Sequence, residues 1–208
     1  MNTRLVWITP DAEKVIMYCA RVSSPNQDSD DTRLLSYCLK HKHFSIFEMA
    51  NACFEVETSR AISAQLLRHK SFSFQEFSQR YAEVLNFEFY NPRRQDTKNR
   101  QNSIDDMSDD DKKWFDDSQR HVAATAMHEY NQALERGIAK ESARFLLPMS
   151  ASTKLYINGT IRSWIHYLNL RIDPSTQSEH REIAYSIRVE LAQHIPTIAK
   201  ALEWPIGE

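Results

Sequence analysis

The chain has 208 residues, enough to bury a full core in one domain, and its 26 Lys and Arg against 28 Asp and Glu leave a net charge of −2. No global field therefore draws it onto a nucleic-acid backbone or an anionic lipid surface, and any anion site must be local. Cys19, Cys38 and Cys53 are odd in number and not closely paired, which argues against a disulfide framework; with three glycines and neither GxGxxG nor GxxxxGK[ST], a Gly-rich phosphate cradle is excluded too. The N-terminal residues lack a leader pattern and no apolar run approaches a membrane span, so the expectation is a soluble, cytoplasmic protein with no membrane contact.

In chain order, "RLVWI" (4–8) is β-prone, and "TPDAEKVIMYCARV" places Thr9 to cap a helix with Pro10 in its first turn. A second helix is expected from Asp31 to His41, with Leu34, Leu35 and Cys38 at core spacing, and "ACFEVET" (52–58) alternates like a half-buried strand. Next comes a helix from about Ser59 to His69, in which Ile62 and Leu66 form an apolar stripe while Gln65, Arg68 and His69 share a neighbouring face. Residues 91–109 carry almost nothing apolar and read as a surface excursion, functional or mobile.

A long helix is expected from Ser108 to Gly137, with Ala123, Met127, Tyr130 and Leu134 as its buried stripe and Gly137 as its C-cap. A short helix in "AKESARFLL" stops before Pro148. "TIRSWIHYLNLR" (160–171) is amphipathic: Ile161, Trp164, Ile165 and Leu168 fall on one face, Arg162, His166 and Asn169 on another. Asp173 is placed to cap a last long helix with Pro174 as its first residue and Ile183, Ile187 and Leu191 as its stripe. No internal repeat is apparent, and the strands gather in the N-terminal half. The expected architecture is α+β, one helix-rich domain over residues 1–208 with a small, mostly antiparallel sheet.

Several constellations bear on chemistry. His41 and His43, with His69 or His166, have the residue type for a metal site, but no Cys or carboxylate stands at a ligand spacing, so none is expected. Cys38, three residues before His41, is either an activated thiolate or, as free cysteines usually are, a small core residue. No G-x-S-x-G elbow positions a serine nucleophile. The densest stretch is "RHKSFSFQEFSQRY" (68–81), where cationic and amide groups alternate with aromatic rings. With Arg93, Arg94, Lys98 and Arg100 it suits a single-stranded nucleic-acid module. A compact pocket for one phosphorylated aromatic small molecule uses the same residue types and fits the near-neutral charge better, so no nucleic-acid partner is expected.

That stretch resembles the signature of the flavin-dependent thymidylate synthases, an Arg-His-Arg followed seven residues later by Ser: here Arg68-His69-Lys70, then Ser78, with Ser73 and Arg80 also in family positions. Upstream, "HKHFSIFE" is similar to the family's His-rich segment ending in Phe-Glu; downstream, "ESARFLLP" and "RSWIHYLNLR" match two further blocks in order. The resemblance implies a homotetramer with active sites shared between subunits, FAD as cofactor, and dUMP, methylenetetrahydrofolate and NADPH as substrates for making dTMP by reductive methylation. It implies that Gln65, Arg68, Glu76, Ser78, Gln79, Arg80, Arg144 and Arg171 contact dUMP. It likewise implies that Ser45, Arg68, His69, Lys70, Thr160, Arg162 and His166 contact FAD, with His43 and Glu48 nearby.

The residues agree with that chemistry. Arg80 and the groups around Ser78 suit a phosphate by charge-assisted hydrogen bonds, and Arg162 and His166, at i and i+4, reach one ligand from one rigid helix. A guanidinium at Arg171 beside the uracil edge favours the ionised N3 form and raises electron density at C5, so Arg171 is the expected catalytic residue and no protein nucleophile is required. Two departures stand out. Lys70 replaces the motif's third residue, Arg, and a point-charge ammonium does not reproduce a planar bidentate fork. Thr160 stands where an amide residue is expected. The same scaffold is also compatible with delivery of a hydroxymethyl group to a pyrimidine nucleotide.

Overall fold

The structure, a computed structural model, describes residues 1–205. Its central sheet has four antiparallel strands in the order β1-β2-β6-β3: β1 is Asn2–Ile8, β2 Asn51–Ser59, β3 Ser73–Glu76 and β6 Ser152–Thr160. A separate two-stranded ribbon pairs β4 (Arg94–Gln95) with β5 (Ser103–Ile104). The helices are α1 (Ala12–Ala20), α2 (Arg33–Lys40), α3 (Arg60–Leu66), α4 (Asp109–Glu135), α5 (Lys140–Ala143), α6 (Ile161–Arg171), α7 (Ser178–His194) and α8 (Pro196–Ala201), with 3₁₀ turns at Phe44–Glu48 and Arg144–Leu146. The α+β expectation holds, and no helix among the described residues is long and apolar enough to cross a membrane.

β6 carries the sheet's centre although it lies in the C-terminal half. Along it Thr153, Leu155, Ile157 and Gly159 turn inward and are replaced one position on by half-buried Lys154, Tyr156 and Asn158, the period-two pattern of a strand with one face on the core. On the outer face Tyr156 donates its hydroxyl to Glu55 at 2.8 Å and Arg4 donates to the same carboxylate at 3.1 Å. On the inner face Phe54 and Phe72 pack on Trp164 at ring-centroid distances of 5.0 and 4.5 Å, and the Trp164 indole donates to the Ala52 carbonyl at 3.0 Å. Gly159 is required there: a Cβ on it would lie 2.3 Å from the Phe72 ring.

The structure contains a repeat that the residues conceal. β2 and β6 are both nine residues long, and each runs without a loop into a helix whose cap is the strand's last hydroxyl residue. Ser59 accepts from the Ile62 amide at 3.4 Å and Thr160 from the Ser163 amide at 3.2 Å. Because β2 and β6 are antiparallel, pairing Ser59 with Ser152 and Asn51 with Thr160, α3 and α6 leave opposite ends of the pair. The 11 residues of α6 then carry its last turn about 16 Å back, toward the end of α3.

Helix starts differ from the expected ones where the polar residue expected as cap is engaged elsewhere, by a tertiary partner for Thr9 and by a local turn for Asp173. Thr9 does not cap α1, which begins at Ala12; its hydroxyl instead accepts from the Asn51 amide at 2.9 Å, tying β1 to β2. Asp173 and Pro174 do not open α7. Asp173 turns back on Ser175, accepting from its amide at 2.9 Å, and the helix starts at Ser178. The helix after β2 ends at Leu66, so Arg68 and His69 lie in the turn beyond it. The polar excursion 91–109 is ordered by the β4–β5 ribbon, by Arg94 clasping Asp106, and by Asp96, which accepts from the amides of Lys98 and Asn99. The cap of α4 by Ser108, and Gly137 at φ 80° closing that helix, are as expected.

Candidate active site

α6 organises two polar clusters, one at each end. Near its start Arg162 and His166 project from the face opposite Trp164 and Ile165. Arg162 pairs with Glu48, and the Phe44 ring packs 4.8 Å from His166, so the 3₁₀ turn 44–48 sits against the exposed side of α6. His43 precedes that turn and Ser45 lies in it, both exposed. Thr160 spends its hydroxyl on the helix cap and on a 3.1 Å hydrogen bond shared with Ser163. His41 and His43 flank Tyr37 at 4.2 and 6.1 Å, and no group of three or more His, Cys, Asp or Glu poised for a metal occurs among the described residues.

At the other end Arg171 Nε donates to His69 Nε2 at 2.8 Å. The acceptor role fixes His69 as neutral with its proton on Nδ1. Its ring stands edge-on to Tyr167 at 4.8 Å. Burial, reinforced by the Arg171 charge, pushes the His69 pKa down to about 4. Behind it His180, fully buried, bonds Tyr167 Oη at 3.1 Å and Gln65 Oε1 at 3.3 Å. Burial first, then Arg171 and His69, pushes His180 down to about 3, and burial raises the Tyr167 phenol above its ordinary value. At neutral pH Arg171 is thus the cationic member of a cluster of neutral rings, with its Nε restrained and both Nη atoms without a hydrogen-bond partner among the described residues.

A third cluster gathers on the segment after β3. Arg80 Nε donates to Glu141 Oε2 at 3.0 Å and Arg144 Nε to the Glu141 carbonyl at 3.1 Å, so one acidic residue holds both arginines together. Ser78 heads the turn beneath Arg80, and Gln79 is buried with its Nε2 unpartnered. Glu76, by contrast, accepts from Ser63 at 2.6 Å and Thr153 at 3.0 Å and pairs with Arg60 at 2.8 Å, which fastens β3 to β6 and α3. Arg68 and Lys70 are exposed cations with no side-chain partner among the described residues.

These donors suit a flat-ringed dinucleotide and a nucleotide monophosphate. Exposed His43, Ser45, Lys70 and His166, with half-buried Arg162, offer cations and hydrogen-bond donors beside an aromatic wall, and Gln79 has a buried amide N–H to give. Cys38 and Cys53 are buried, and burial raises both thiols, so neither is an activated thiolate. Sequence reasoning missed Tyr167, Gln177, Glu179, His180 and Glu141. "TQSEHRE" reads as the polar start of a helix, and only the fold reveals that Glu179 and His180 point inward.

Residues 4–197 match the family model described as "Thymidylate synthase complementing protein". A flavin-dependent thymidylate synthase of Synechocystis sp. is 53% identical over 193 residues, covering 92% of this chain and 90% of that one. The chain belongs to this family. Another of its members, the probable flavin-dependent thymidylate synthase of Paramecium bursaria Chlorella virus 1, is 52% identical over 98% of this chain and 100% of its own. Among solved structures, the UMP/dUMP methylase PolB from Streptomyces cacaoi, bound with 5-Br dUMP, superposes with a TM-score of 0.86 at 27% identity, covering 97% of this chain and 94% of that one.

Proposed function

We propose that the protein is a flavin-dependent thymidylate synthase: dUMP, methylenetetrahydrofolate, NADPH and a proton give dTMP, tetrahydrofolate and NADP⁺. The observation that carries this reading is Arg171, a guanidinium restrained by His69 in a cluster of neutral rings at the end of α6. Arg171 lowers the cost of ionising uracil N3 and so makes C5 nucleophilic; such a contact strengthens as charge develops and raises rate more than affinity. Gln65 meets His180 in the same cluster and would reach the uracil edge. Arg80 and Arg144, with Ser78 and Gln79, would hold the phosphate, while Arg68 would contact both the nucleotide and the flavin. Glu76 fixes the strand that presents Ser78. His43, Ser45, Glu48, His69, Lys70, Thr160, Arg162 and His166 surround FAD. When bound, FAD reduced by NADPH supplies the hydride that completes the methyl group.

The whole chain acts as one domain, assembled as a cytoplasmic homotetramer whose sites draw residues from more than one subunit. In support, no hydrogen bond or ion pair among the described residues joins the Arg80–Arg144 cluster to the Arg171 cluster. The former is also surrounded by exposed apolar side chains, Phe145 at 81%, Tyr81 at 79% and Leu85 at 76%, the kind of patch that partner chains cover. The test is the visible spectrum and size of the purified protein. A yellow tetramer, or one stabilised against heat by added FAD, is expected; a colourless protein indifferent to FAD that binds oligonucleotides with steep salt dependence would sink the reading.

A further inference from the structure

A chain of hydrogen bonds runs from the surface excursion to the ring cluster. Arg93 Nη2 donates to Glu179 Oε1 at 2.5 Å, and Gln177 Nε2 donates to Glu179 Oε2 at 2.8 Å. Gln65 Nε2 donates to Gln177 Oε1 at 2.6 Å, and Gln65 Oε1 meets His180 Nδ1 at 3.3 Å. His180 Nε2 meets the Tyr167 hydroxyl at 3.1 Å. Glu179 is 4% exposed and His180 0%.

The chain has a direction, and Glu179 sets it. An ionised carboxylate only accepts, so Gln177 must turn its NH₂ toward Glu179 and its oxygen toward Gln65. Gln65 must then donate to Gln177 and turn its own oxygen to His180. That oxygen accepts from Nδ1–H, which leaves Nε2 to accept from Tyr167. A neutral imidazole satisfies both contacts in only one tautomer, and burial, the first cause of its depressed pKa, keeps it neutral. The amide of Gln65 has a second N–H, which no described residue accepts. This N–H is a donor suited to a uracil carbonyl or an ionised N3. With the amide reversed, Gln65 would offer an oxygen and repel both.

We propose that Glu179, anchored by Arg93, is a positioning residue that fixes the Gln65 amide so that it presents an N–H to the pyrimidine edge beside Arg171. The proposal rests on the dUMP reading for its last step only. The excursion 91–109 thereby acquires a role, since it delivers the cation that stabilises the buried carboxylate.

The test combines a spectroscopic and a binding readout on the full chain. Long-range ¹H–¹⁵N correlation on ¹⁵N-histidine-labelled protein reads the His180 tautomer, assigned by the loss of its signals in His180→Gln. The wild type should show Nδ1 protonated and Nε2 bare. Glu179→Gln, whose amide donates as well as accepts, should mix or reverse the tautomer and weaken dUMP binding about tenfold by calorimetry, with FAD affinity unchanged. Because that variant strands Arg93, Arg93→Met/Glu179→Gln is measured beside it, with the same shifts expected. An Nε2-protonated His180 in the wild type overturns the proposal even if neither variant folds. Unchanged dUMP affinity in a folded variant with an altered tautomer reduces the chain to a structural one. A wild type that binds no dUMP sinks the functional reading and the uracil step together, while the tautomer still decides whether Glu179 directs the chain.

Discussion

Replacing His180 by Gln should flatten the acid limb of the stability curve. A histidine that charges near pH 6.5 when unfolded but only near pH 3 when folded leaves the native state with fewer bound protons than the unfolded state between those values. Stability therefore rises with pH across that window, is complete above about 6.5, and is lost as pH falls. The slope is about 1.4 kcal/mol per pH unit, so between roughly pH 6.5 and 4.5 His180 should account for about 2 kcal/mol of lost unfolding free energy. His69, half-buried and pushed down to about 4, should add a similar amount, about 2 kcal/mol, over the same interval. Glutamine does not titrate and its amide can still reach Tyr167 and Gln65. Urea unfolding followed by tryptophan fluorescence, at one protein concentration and several pH values, measures both proteins. The wild-type advantage should shrink by about 2 kcal/mol over that interval. A difference independent of pH would show that the folded state protonates His180 as readily as water does, and the neutral-ring description of the site would be wrong.

Arg171→Ala should lower dTMP formation by roughly two to three decades, about 2–4 kcal/mol, while the flavin is still reduced by NADPH and reoxidised by oxygen; near-normal dTMP formation would remove Arg171 from its role. The same change also removes a cation beside His69 and His180, so both imidazole pKa values should rise in an NMR titration. Replacing Cys19, Cys38 and Cys53 together by Ala should leave turnover measurable, apart from packing losses at the two buried positions; a folded, flavin-binding variant with no turnover would reveal a cysteine nucleophile. Lys70→Arg should tighten FAD binding in a fluorescence titration, since Lys70 is exposed and a guanidinium adds fork donors; weaker binding would mean the pocket is shaped around an ammonium.

What the sequence made legible were features carried by local periodicity. The stripe Ile161, Trp164, Ile165, Leu168 is buried as its spacing requires, and Ser108 and Gly137 close the long helix at the expected residues. Thr9 and β6 were misread or missed because their states are set by distant partners: Thr9 by Asn51, and β6 by pairing with β2 on one side and β3 on the other; Asp173 is instead spent on a local turn with Ser175. The same distinction divides the site. Arg162 and His166 share a helix face by spacing, whereas the contact of Arg171 with His69 spans 102 residues and that of Gln65 with His180 spans 115. No periodicity encodes such pairs. His180 illustrates the cost: flanked by Glu179 and Arg181 it reads as solvated, yet it is the most enclosed polar side chain of the cluster.

The decisive measurement incubates the purified protein with FAD, NADPH, methylenetetrahydrofolate and dUMP under anaerobic conditions and identifies the nucleotide product by mass. The expected result is dTMP in proportion to NADPH consumed, and none when FAD is withheld from protein stripped of it. A hydroxymethylated nucleotide, or dTMP formed equally well without flavin, would contradict the assignment of this chain as a flavin-dependent thymidylate synthase.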